Sequence, residues 1–74
     1  MLAANDLGAA LDAASRAVDA DKYSEAAHQL AIRAHLAQGD GGGAHRAYEQ
    51  CRAALAELDL SPQPTTARLL SHQS

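Results

Sequence analysis

Three observations predict an all-α fold of about four helices, arranged as tetratricopeptide-like antiparallel hairpins. Apolar residues recur at three- and four-residue spacing through most of the chain, which marks amphipathic helices. β-Branched residues are confined to Val18, Ile32, Thr65 and Thr66, so no stretch has the composition of a strand. Glycine and proline concentrate at Gly39–Gly43 and at Pro62 and Pro64, where helices should stop and restart. These breaks predict helices over roughly 6–19, 23–38, 43–58 and 64–72, within a single partial helical-repeat domain spanning 1–74.

In the first helix, Leu7, Leu11, Ala14 and Val18 form one apolar stripe. Asn5 is the expected N-cap, with Asp6 beside it favoured by the helix dipole. The run Asp19-Ala20-Asp21-Lys22 interrupts the pattern, and Asp21 is expected to cap the second helix. In that second helix Ala27, Leu30, Ala31 and Ala34 lie on one side, while Ile32 and Leu36 point nearly the opposite way. A helix apolar on two sides sits between neighbours, so this should be the middle one. Gly39 is placed to end it in the left-handed conformation, Asp40 to cap the next helix, and the remaining glycines to make a mobile turn.

The third helix carries Ala44, Ala47, Tyr48, Cys51, Leu55 and Leu58 on its apolar side. His45, Arg46, Glu49, Gln50, Arg52 and Glu57 occupy the other. A short fourth helix should start with Gln63 as N-cap and Pro64 at the first helical position, where a missing N–H is harmless, and anchor through Leu69 and Leu70.

Hydrophobic residues make up 47% of the 74, but aromatics only 3%, and alanine supplies much of the apolar total. The core is therefore expected to rest on Leu2, Leu7, Leu11, Val18, Leu30, Ile32, Leu36, Leu55, Leu58 and Leu60, with Tyr23 and Tyr48. So few large side chains make for marginal stability. About two repeats also leave a stack's face uncovered. The expectation is an exposed apolar face on the first helix around Leu7, Leu11 and Val18, covered by a protein partner or by homodimerisation.

Charge narrows the function classes. The net charge is −3 and the six Lys and Arg are scattered singly, so direct nucleic-acid binding by this segment is not expected. The single cysteine, Cys51, excludes an internal disulfide and a cysteine-based zinc site. No apolar run approaches the roughly 20 residues a membrane span needs, and no secretory signal is evident, so the cytoplasm is the expected compartment.

No catalytic, cofactor or metal residues are expected, and the chain does not read as an enzyme. His28 and His35 share a helix face but lie about 10 Å apart along it, too far to share an ion without further ligands. Cys51 sits on an apolar stripe, where it acts as a small hydrophobe. Gly39–Gly43 lacks the following Lys-Ser/Thr and the preceding strand of a phosphate-binding loop. The candidate partner-binding residues are Leu7, Leu11 and Val18 on the first helix together with Arg33, Arg46 and Arg52, arginine being enriched where binding energy concentrates.

The tetratricopeptide pattern places its turn glycine, alanine and aromatic at Gly39, Ala44 and Tyr48, while its Trp, Leu, Gly and Tyr slots hold His28, Ala31, Ile32 and His35. A more specific likeness runs from Glu25 to about Leu70. It comprises Ser24-Glu25-Ala26-Ala27-His28-Gln29-Leu30, Gly39-Asp40, Ala44-His45-Arg46-Ala47-Tyr48-Glu49-Gln50-Cys51-Arg52, and Leu55 through Ser61-Pro62-Gln63-Pro64-Thr65-Thr66. This resembles the bacterial transcriptional activator domain, the tetratricopeptide-like region of SARP-type regulators, of which the chain looks like the C-terminal part. Asp59 stands where that family usually has glycine. The resemblance implies a helical protein-interaction or oligomerisation module that modulates a DNA-binding domain lying outside this chain. The rival expectation is a generic tetratricopeptide-like scaffold that grips a peptide or protein outside transcription.

Overall fold

A computed structural model describes the backbone of residues 3–71 and the side chains of residues 8–71. Over those residues the fold is all-α: α1 (Ala3–Ala20), α2 (Glu25–Ala37), α3 (Gly41–Ala56) and α4 (Pro64–Ser71). The middle position of α2 holds as expected. It packs against α1 on one side and α3 on the other, and α4 closes across α2 and α3. No close approach joins α1 to α3 among the described residues.

Helix starts depart from expectation, and at α2 and α3 a better-placed cap is the reason. α1 begins at Ala3, so Asn5 and Asp6 fall inside it. α2 begins at Glu25 because Ser24 is its cap, accepting a hydrogen bond from Ala27 N–H at 3.3 Å. Asp21 instead accepts from Tyr23 N–H two residues on, shaping the turn rather than the helix. α3 starts at Gly41, since Asp40 accepts from Gly43 N–H at 2.8 Å and draws all three glycines into the first helical turn. The expected glycine-rich turn shrinks to Gln38–Asp40.

The ends of α2 and α3 close in the same way. Asp40 N–H donates to the His35 carbonyl at 2.9 Å, with Gly39 left-handed at φ 74°. Leu60 N–H donates to the Leu55 carbonyl at 2.9 Å, with Asp59 left-handed at φ 60°. Asp59 thus takes the left-handed conformation that glycine adopts without steric cost.

The core is smaller-grained than the leucine pattern suggested. Ala14, Ala27, Ala34, Ala44, Ala47, Ala54 and Cys51 are buried, with Ile32 and Leu55 the large aliphatic members. Leu36, Tyr48, Leu69 and Leu70 pack on the cluster of Ile32, Ala44 and Ala47. Tyr23, Leu30, Leu58 and Leu60 are between 37% and 55% exposed and do not belong to it. Alanine faces let helix axes approach closely, which leaves longer side chains at the margins of each contact. Leu2 and the side chain of Leu7 lie outside the described residues.

Polar contacts tie α4 and the α1–α2 turn to this core. The Glu25 carboxylate at the start of α2 accepts from Gln63 N–H at 2.6 Å, satisfying a free donor at the start of α4. It also accepts from the fully buried Thr66 hydroxyl, whose oxygen in turn accepts from Gln29 Nε2 at 2.7 Å. Across the molecule, Glu57 at the end of α3 accepts from the Tyr23 hydroxyl at 2.9 Å and pairs with Lys22 at 3.1 Å.

Candidate functional site

Because α1 and α3 flank α2 without meeting, a groove of about 320 Å³ opens between them with α2 as its floor. α1 contributes Leu11, Ser15, Val18 and Asp19, a set spaced i, i+4, i+7 and i+8 along one helix face. The floor is Ala31 and His35, one turn apart on α2. α3 supplies Gly43, Arg46, Ala47 and Gln50, again on one face. The small residues Ala31, Gly43 and Ala47 give the groove its depth. Leu11 and Val18 make its apolar wall, and Ser15, Asp19, Arg46 and Gln50 are exposed along its rim.

One end of the groove is built with no spare room. The Nδ1 atom of His35 lies 3.3 Å from Asp40 Oδ2, but off the axis of a hydrogen bond, and is otherwise without a partner. Asp40 meanwhile caps α3 through its other oxygen. A Cβ on Gly43 would stand 2.5 Å from His35 Nδ1 and closer still to Asp40 Oδ2, so only glycine fits beside this pair. The hydrogen bond from Gly43 N–H, with His35 and Arg46 nearby, holds the Asp40 carboxyl below its ordinary range. Asp40 is therefore a fixed anion at the head of α3, beside the groove-lining His35 and Gly43 rather than in the lining itself.

His28 is 2% exposed and shares the face of α2 that carries Ala31 and His35, but it does not line the groove. Its Nε2–H donates to the Lys22 carbonyl at 2.7 Å, while Nδ1 finds no partner. Cys51 is fully buried, and burial pushes its thiol up to about 11, so it is held as an un-ionised apolar group. Among the described residues no group of three or more His, Cys, Asp or Glu is placed to hold a metal ion. Likewise no helix there is long and apolar enough to cross a membrane.

Of the candidate partner-binding residues, the structure brings three together. Leu11 and Val18 are half-buried and turned into the groove, and Arg46 faces them from α3. They line a cleft rather than an outward apolar face on α1, whose exposed side carries the Asp12–Arg16 ion pair and alanines. Arg33 is exposed on α2 outside the groove, and Arg52 is paired with Glu49 at 2.6 Å. The side chain of Leu7 is outside the described residues. Ser15, Asp19, His35 and Gln50 were not among the candidates. Their signal was present in the helical spacing of each set, but convergence of three polar faces appears only once the helices are packed.

Over the described residues the chain is a stack of four helices with a cleft open on one side. The sequence pattern of the bacterial transcriptional activator domain matches residues 1–72, and the chain belongs to that family. The match takes in α1 as well as the Glu25–Leu70 stretch that carries the most specific motifs. Comparison with curated proteins and with solved structures returns no match. Membership makes this a regulatory domain associated with transcriptional activation.

Proposed function

We propose that the chain is a protein-interaction module of a bacterial transcriptional regulator, acting in the cytoplasm, with the α1–α2–α3 groove as its contact surface. The observation that carries this reading is the groove itself: an apolar wall, a floor of small residues and an arginine on the rim, in a domain of a transcriptional activator family. Contact through the groove, with another protein or with a second copy, would set the activity of a DNA-binding domain lying outside this chain. The scattered basic residues support a role away from DNA. Half-buried Leu11 and Val18 supply contact area, and Arg46 supplies a directional charged contact.

Transcript profiling in the native cell tests the proposal. Arg46→Glu and Val18→Glu, introduced separately at the native locus, are expected to shift the same set of transcripts as deletion of the gene. Unchanged transcripts with both variant proteins present at normal levels would overturn it. Sedimentation of the chain across a hundredfold concentration range reads the homodimer directly, a mass that rises with concentration being the expected result if a second copy fills the groove.

A further inference from the structure

Among the described residues, Asp19 and Arg46 stand on opposite walls of the groove outside every close ion pair, although Arg46 adds to the field on Asp40. The described ion pairs join Arg16 to Asp12, Lys22 to Glu57 and Arg52 to Glu49, and the His35 ring lies 3.3 Å from Asp40. Asp19 on α1 and Arg46 on α3 are absent from these pairs; Leu11 and Val18 stand on the same wall as Asp19, Ala47 on the same wall as Arg46, and Ala31 lies on the floor between the two walls. Two opposite charges that face a cleft without closing across it are left for an occupant of complementary polarity.

We infer that the groove takes a segment of another protein in which an aliphatic side chain is flanked by an acidic residue at one end and a basic residue at the other. The acidic residue meets Arg46, whose guanidinium offers a carboxylate two parallel donors. The basic residue meets Asp19. The aliphatic side chain lies against Leu11 and Val18. At about 320 Å³ the groove sits near the low end of volumes that hold a ligand, so it accepts side chains from a segment rather than the segment whole. Orientation follows from the charges: the acidic end lies toward α3 and the basic end toward α1. A reversed segment would set like charges together at both walls and be rejected.

This inference rests on the proposed role as an interaction module and adds the chemistry of the partner. A random peptide display library panned on the full 74-residue chain tests it, with Arg46→Glu, Asp19→Lys and Arg33→Glu as parallel baits. All three positions are exposed, and a far-UV circular dichroism melt of each bait checks that it folds. The wild-type pool should converge on an aliphatic residue with acid and base on opposite sides. Its peptides should bind Arg46→Glu at least about tenfold more weakly and Arg33→Glu unchanged. The Arg46→Glu pool should lose the acidic preference, and the Asp19→Lys pool the basic one. A wild-type pool without that pattern, or the same pool from all baits, overturns the inference. So does a concentration-dependent dimer that Val18→Glu dissolves, since a second copy would then be the occupant. If the groove variants still alter transcripts while the pools show no charge dependence, the interaction role stands and only the partner's chemistry fails.

Discussion

The two junctions that follow α2 and α3 close with the same backbone geometry and are secured by different means. After α2, the left-handed residue is Gly39, the next residue caps α3, and Gly43 makes room for both Asp40 and His35. Every part of that turn comes from one short run of consecutive residues, 35–43. After α3, the left-handed residue is Asp59, for which the conformation is strained, and the chain is then held by residues far away in sequence. Glu25 and Gln29 on α2 reach Gln63 and Thr66 and fasten α4 down. One junction is specified locally and the other by tertiary contact. Only the local one borders the groove, where a fixed backbone matters for recognition.

The largest expected effect comes from filling the local junction. Gly43→Ala must displace the Asp40 carboxylate or the His35 ring, which forfeits the cap or distorts the groove floor. Overpacking of this kind costs about 1–3 kcal/mol, outweighing the better helix propensity of alanine. For a domain of this size the thermal midpoint should fall by several degrees or more. Gly42→Ala is the matched control. Its Cβ meets nothing nearer than 3.8 Å, so the midpoint should hold or rise. If the two variants melt alike, the close approach at Gly43 has no energetic weight.

The tertiary junction breaks at Thr66. Thr66→Val keeps the shape of a fully buried side chain and removes its hydroxyl, leaving Glu25 and Gln29 each short of a partner. An unsatisfied buried polar group costs about 1–3 kcal/mol, and part of this one is recovered by the Gln63 N–H that Glu25 keeps. Hydrogen exchange should show α4 opening first, with the amides of α2 and α3 protected as before. Uniform loss of protection in all helices would mean that α4 is not a separable element.

The division between local and distant control also decides what could be read from the sequence. Gly39 and Asp40 were legible as a stop and a cap because the residues that make the turn are adjacent. The order α1, α2, α3 was legible from the two apolar sides of α2. The Glu25–Thr66–Gln29 contacts were not, since nothing in the local pattern links residues so far apart along the chain. The large side chains misled for a different reason. Leu30 and Leu58 lie at helical spacing, yet the close contacts run through Ala14, Ala27, Ala44, Ala47 and Ala54, whose small size makes their pattern hard to see against an alanine-rich background. Of the groove, Leu11, Val18 and Arg46 were singled out individually. Asp19 and His35 become part of it only when three helices converge.

Exchanging the left-handed residues sharpens the comparison with a smaller effect. Asp59→Gly relieves a conformation that costs an L-residue about 1 kcal/mol, less the added freedom of glycine in the unfolded chain, so a gain of a few tenths to about 1 kcal/mol is expected. Gly39→Ala should lose about 1 kcal/mol, although open space surrounds that position. Urea midpoints of opposite sign for the two variants would show that both junctions use the same slot and that only one holds its preferred residue. A destabilised Asp59→Gly would mean that the aspartate side chain contributes something the backbone geometry does not reveal.

The smallest effect is the response to acid, and it touches both junctions. Asp40 is held below its ordinary carboxyl value chiefly by the Gly43 N–H, with His35 and Arg46 adding to it. Glu57 is held below its own by the Tyr23 hydroxyl and then by Lys22. A carboxyl with a lowered folded-state value binds its proton more readily in the unfolded chain. Each therefore stabilises the fold fully above the ordinary carboxylate range, and that contribution disappears as pH falls through the lowered value. Both groups are solvent-exposed and screened, so the loss should be shallow and should shrink further in high salt. Asparagine caps a helix about as well as aspartate, so Asp40→Asn should keep the turn while flattening the fall in urea midpoint between about pH 5 and pH 3. Glu57→Gln should flatten it independently, because the two carboxylates share no partner. If Asp40→Asn leaves the acid slope unchanged, the charge at the head of α3 does not contribute to holding the groove-side turn, and the cap acts through its hydrogen bond alone.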